Sequence, residues 1–163
     1  MKCELGAGAS RLRGRCRFGN AGKAYREADM AKPKFSNPAG LSKPPGYSHV
    51  VEVAGPARMI FVAGQLGLDL QNNLVGAPGD FRAQVTQAFE NLKIALHAAG
   101  ADFGDVVKIT NYLTDMSHLP ILREVRDKYV NVAAPPASTT IQISKFARDG
   151  ALFEIEAVAT VST

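Results

Sequence analysis

Val85, Ala88, Phe89, Leu92, Ala95, Leu96 and Ala99 recur at spacings of three and four. That is the period of an amphipathic helix, here about five turns long with a single apolar stripe. Asp80 can cap its start by accepting hydrogen bonds from amides that lack a helical partner. Gly100 is a natural stop. Such a stripe has to be covered. Residues 151–161 read as a long strand in which Phe153, Ile155, Ala157, Ala159 and Val161 point one way. Glu154, Glu156, Val158 and Thr160 point the other.

The segments between are shorter. Residues 49–54 and 58–63 read as two strands joined at Gly55-Pro56, which predicts a hairpin. Residues 66–79 read as a loop. Residues 106–113 form a strand rich in β-branched side chains. The pattern over 117–130 predicts a second helix, capped by Ser117, with Leu122, Val125 and Tyr129 on its buried side. Pro120 is tolerated there because it falls in the first turn. Residues 133–137 break the chain, 138–143 form a strand, and 144–150 a loop. The order is β-β-α-β-α-β-β. It predicts an α+β fold, a mixed sheet with both helices on one face. Several positions on the sheet's other face are apolar or small, which points to burial against another subunit.

Composition adds limits. Of 163 residues, 46% are hydrophobic and 21% charged. That suits one soluble globular domain and not a disordered chain. No stretch approaches the roughly 18 apolar residues of a membrane span. The net charge of +4 comes wholly from residues 1–29, where seven basic side chains face three acidic ones. The remainder is neutral, which argues against a nucleic-acid partner. Cys3 and Cys16, the two cysteines, also lie in residues 1–29. They are too few for a disulfide scaffold, and the domain holds no thiol nucleophile. Residues 1–29 are expected to be a disordered basic extension, or sequence upstream of a start at Met30. They lack the apolar run of a secretory signal, and no signal points outside the cytoplasm. Residues 30–48, with four prolines, form an extended leader without helix or strand. The domain proper is 49–163.

Chemistry is sparse. His49, His97 and His118 are scattered, without the close pairing of a metal site. Ser138, Thr139 and Thr140 supply hydroxyls, but no catalytic triad can be read from spacing. Glu154 is the most interesting acid, since a strand carboxylate can face a cleft and handle a proton.

Several separated motifs coincide: Phe61-Val-Ala-Gly-Gln65, Gln87-Ala-Phe-Glu-Asn-Leu92, Ala98-Ala-Gly100, Val107-Lys-Ile-Thr110, Tyr112-Leu-Thr-Asp115, Pro136-Ala137 and Glu154-Ile-Glu-Ala157. In order and spacing they resemble the RidA family, also called YjgF or L-PSP, over roughly residues 36–161. The resemblance implies a chorismate-mutase-like fold, a homotrimer built around a central barrel, and ligand clefts between subunits. It also implies hydrolysis of reactive enamines and imines to 2-keto acids and ammonia, with no cofactor. Carried over, the cleft tyrosine falls on Tyr47, the cleft glycine on Gly64, the small polar residue of the cleft strand on Thr140, and the water-orienting glutamate on Glu154.

The departure is at Ser138. Family deaminases read Pro-Ala-Arg-Ser where this chain reads Pro136-Ala-Ser-Thr139. The family arginine grips the substrate carboxylate as a two-pronged pair. Losing such a bond is worth on the order of 2–5 kcal/mol. Arg148 is a candidate replacement, although a loop arginine is more often simply solvated. Three functions follow from the resemblance: a hydrolase of small imines with a changed substrate range, a non-catalytic trimer that binds a small metabolite, or an endoribonuclease.

Overall fold

The computed structural model describes residues 32–163. The expectations for residues 1–29, and both cysteines, lie outside the described residues. The chain runs β1 (Lys34–Ser36), β2 (Val50–Glu52), β3 (Ala57–Leu66), α1 (Phe81–Ala98), β4 (Val106–Leu113), α2 (Leu119–Arg126), β5 (Ala137–Gln142) and β6 (Phe153–Ser162). Four strands form a mixed sheet in the order β3-β6-β4-β5. β6 is antiparallel to both neighbours, and β5 is parallel to β4.

α1 lies where the apolar stripe places it. Asp80 Oδ1 accepts from the Ala83 amide at 2.9 Å. At the far end the Gly100 amide donates to His97 O and the Ala101 amide to Leu96 O. Gly100 supplies the left-handed turn, with φ at 70°, so the last carbonyls keep partners as the chain leaves. Val85, Ala88, Phe89, Leu92 and Leu96 are buried against Phe153, Ile155, Ala157 and Ala159 of β6. Leu122 and Val125 of α2 join the same core, so both helices cover one face of the sheet. Gln84, fully buried in α1, accepts from the Leu152 amide and donates to Gly150 O. It ties the helix to the entry of β6.

Three local expectations are corrected. β2 does not pair with β3. It pairs antiparallel with β1, Phe35 opposite Val51, in a separate ribbon. The leader is therefore not free of strand. Asn37 Oδ1 accepts from the His49 amide, and the His49 ring meets Ser42 O, which closes the loop and brings β1 onto β2. β3 finds its partner in β6 along its whole length. Ser117 is not the cap of the second helix. Asp115 Oδ1 accepts from the Ser117 amide at 2.8 Å and caps a single 3-10 turn, Met116–His118. α2 starts after it, has no side-chain cap, and ends at Arg126.

The sheet's other face carries Met59, Phe61 and Ile141, which are 59%, 73% and 43% exposed. Lys108, Thr110, Tyr112, Glu154 and Glu156 share that face, as the strand pairings Lys108–Val158, Thr110–Glu156 and Tyr112–Glu154 require.

Candidate functional site

Glu154 stands on the open face of β6 beside a break in the β3 ladder. Val62 pairs with Ala157 and Gln65 with Ile155, so Ala63 and Gly64 together oppose one residue. Such a bulge re-aims the strand locally. It lets the Glu154 side chain lie over Gly64, where any Cβ would fall on its Oε1. Glycine at this position is a steric requirement for the carboxylate. Burial, and secondarily the charge of Glu156, push the Glu154 carboxyl above the usual carboxylate range. Glu156 accepts from the Tyr112 hydroxyl at 3.2 Å. Nearby, burial lowers the Lys108 ammonium below its ordinary value, against an opposing pull from Glu156. Lys108 donates to Thr139 Oγ1 at 2.5 Å.

Ser138 and Thr140 stand on the opposite face. Register sets them beside Ile109 and Asn111, both buried on the helix side. There they line a cavity of about 170 Å³ with Tyr47, Asn111, Arg123 and Arg126. Leu119 and Leu122 of α2 and Pro45 of the leader complete it. The leader is held in place by the Ser48 amide, which donates to Pro136 O just before β5. Asn111 Nδ2 lies 3.3 Å from Ser138 Oγ and 3.4 Å from Thr140 Oγ1.

The five residues read from the sequence therefore fall into two groups. Tyr47, Ser138 and Thr140 share one cavity, while Gly64 and Glu154 share the far face of the sheet. Arg148 joins neither group. Its Nη2 donates to Asn72 O at 2.8 Å. Sequence reasoning passed over Asn111, Arg123 and Arg126. A helical wheel holds the signal for the arginines: 119, 122, 123 and 126 are spaced i, i+3, i+4 and i+7, one side of a helix. Asn111 is legible only as a polar residue on the buried face of a strand. Among the described residues no three His, Cys, Asp or Glu side chains are grouped to hold a metal. No helix among them is long and apolar enough to cross a membrane.

The model of the family described as Endoribonuclease L-PSP matches residues 41–161. The 2-iminobutanoate/2-iminopropanoate deaminase of Mus musculus is 37% identical over 69% of this chain and 79% of its own length. Among solved structures, the Rid-family protein YyfB of Yersinia pestis is similar with a TM-score of 0.69 at 30% identity. The match covers 79% of this chain and 98% of that one. Escherichia coli TdcF, solved with bound serine, is similar with a TM-score of 0.56 at 29% identity, over 64% of this chain and 81% of that one. With helices, mixed sheet and motifs all in agreement, the chain belongs to the RidA/YjgF/L-PSP family.

Proposed function

We propose that this protein hydrolyses a small reactive imine or enamine to a carbonyl compound and ammonia, without a cofactor, in a cleft between copies of the chain assembled as a homotrimer. The observation that carries the reading is Glu154, a partly buried carboxyl held over Gly64 with its proton affinity raised. In the proposed step a water oxygen bonds to the imine carbon while Glu154 takes a proton from that water. The proton is passed to nitrogen, a second moves from the new hydroxyl to nitrogen by way of Glu154, the carbon–nitrogen bond breaks, and ammonia leaves as the carbonyl forms. A carboxyl with raised affinity suits both transfers.

A second copy is needed because the sheet separates the two groups of residues. Glu154 and Gly64 of one chain would meet Tyr47, Ser138 and Thr140 of its neighbour. The exposed side chains of Met59, Phe61 and Ile141 offer an apolar face for that association. The similarity to the mouse 2-iminobutanoate/2-iminopropanoate deaminase supports the reaction class. A second reading, a trimer that binds a small metabolite without turning it over, is favoured by the neutral Ser138. RNA cleavage has little electrostatic support, since residues 30–163 carry equal numbers of basic and acidic side chains.

The test is ammonia and 2-keto acid release from 2-aminoacrylate, generated in place by a dehydratase, using the full chain. Glu154→Ala is expected to lower the rate roughly 100-fold or more. Full activity in that variant removes Glu154 from the mechanism. Ligand-induced thermal stabilisation with no product at all favours the binding protein.

A further inference from the structure

The β5 strand gives the cavity under α2 no cation, since Ser138 and Thr140 are its lining residues there, yet the cavity is not without positive charge. Arg123 and Arg126 both line it, and no acidic side chain does. The Arg126 side chain is only 11% exposed. Its Nε and Nη2 donate to Asp127 Oδ1 at 2.9 and 2.6 Å. A guanidinium has about five N–H donors, and the others on Arg126 meet no acceptor among the described residues. Gly46, with φ at 94°, admits this group: a Cβ there would lie 2.5 Å from Nη2. Arg123 makes no side-chain hydrogen bond or ion pair with a described residue.

Asn111 adds a second, independent demand. Its Nδ2 also faces Thr139 O at 3.4 Å, and only an NH2 group can face a carbonyl. In this orientation Oδ1 is buried without a donor. A buried acceptor in that state is costly unless something supplies a hydrogen.

We propose that Arg123 and Arg126 are the anion-recognising groups of this cavity, and that it takes a small carboxylate bearing an O–H or N–H donor on the adjacent carbon. The carboxylate meets the guanidinium groups on the α2 wall, and the donor meets Asn111 Oδ1. Ser138 and Thr140 form a neutral floor. The cations of the cavity lie on the helix and not on the strand, so the anion is held on the α2 side. The proposal deepens the functional reading above, on which its catalytic meaning rests, but binding itself requires no turnover.

The experiment is calorimetric titration of the full chain with L-lactate, lactamide and propionate. Lactate has both features, lactamide lacks the charge, and propionate lacks the donor. Lactate is expected to bind most tightly, with lactamide roughly 10- to 100-fold weaker, the scale of a hydrogen bond to a charged group. Arg123→Gln and Arg126→Gln are each expected to weaken lactate by a similar factor. Arg123 is exposed, so its variant is expected to fold normally even if Arg126→Gln does not. Absence of lactate binding to the wild type overturns the proposal. So does equal binding of lactate and lactamide, or an Arg123→Gln variant that binds lactate as the wild type does. Lactate binding without imine hydrolysis defeats the functional reading alone. Hydrolysis by a folded double arginine variant at the wild-type rate defeats this proposal alone.

Discussion

Glu154 and Gly64 form a matched pair, because the carboxylate occupies the space that a side chain at 64 would fill. Gly64→Ala must displace Glu154 or shift β3, and because the clash falls on the flexible end of the Glu154 side chain the cost should stay below the roughly 1–3 kcal/mol of overpacking a core. Urea unfolding should show the loss, and activity should fall further than stability does. An Ala variant with unchanged activity would mean that Glu154 moves freely without consequence. The raised proton affinity of Glu154 has two further effects. The rate should fall on acidification with a limb above the ordinary carboxylate range, and Glu154→Gln should abolish that limb. For stability, the folded protein keeps a proton that the unfolded chain releases between the ordinary and the raised value. Stability is therefore lost as pH rises through that window. The urea midpoint of Glu154→Gln should gain on the wild type across the window and run parallel to it above. A difference that shrinks with rising pH would reverse the assigned direction.

At the scale of elements, Gln84 is a junction. Its amide satisfies the Leu152 amide and the Gly150 carbonyl, both brought there by the loop before β6. Gln84→Leu leaves those groups without their partner, at about 1–3 kcal/mol each if water does not reach them. A urea midpoint equal to the wild type would show that water replaces the amide. α1 and β6 are legible in the sequence because each is long, with one period repeated several times. Asp80 and Gly100 mark the ends of α1 by chemistry that needs no tertiary information. The pairing of β2 is not legible in that way. Three residues carry too little pattern to choose between two partners, and the choice is made by Asn37 and Ser42 holding His49. Ser117 and Asp115 are both good caps, and only the 3-10 turn that Asp115 caps and Ser117 lies within decides. The arginines of α2 look like an ordinary solvated face until Leu119 and Leu122 are seen lining the same cavity.

For the whole molecule, the decisive fact is which face of the sheet each residue takes. Alternation along β6 shows that Glu154 faces away from the core. It says nothing of β5, whose facing depends on parallel register with β4. Sequence reading therefore names candidate site residues but not the side of the sheet each takes. The exposed Met59, Phe61 and Ile141 belong to the face assigned to the proposed association. Burying one large apolar side chain contributes about 1.5–3 kcal/mol. Phe61→Glu would replace that with a charge at every contact. Sedimentation should give a trimer for the wild type and smaller species for Phe61→Glu, whereas a monomeric wild type would remove the shared cleft.

Complementation tests that cleft most directly. Ser138→Trp should fill the cavity, and Glu154→Ala should remove the proton-handling group. Each variant alone should be folded, trimeric and inactive. Co-refolded together, they should form mixed trimers in which some clefts pair an intact Glu154 with an intact Ser138 from the neighbouring chain. Deaminase activity should return in the mixture. Mixed trimers that stay inactive would contradict a site built from two copies.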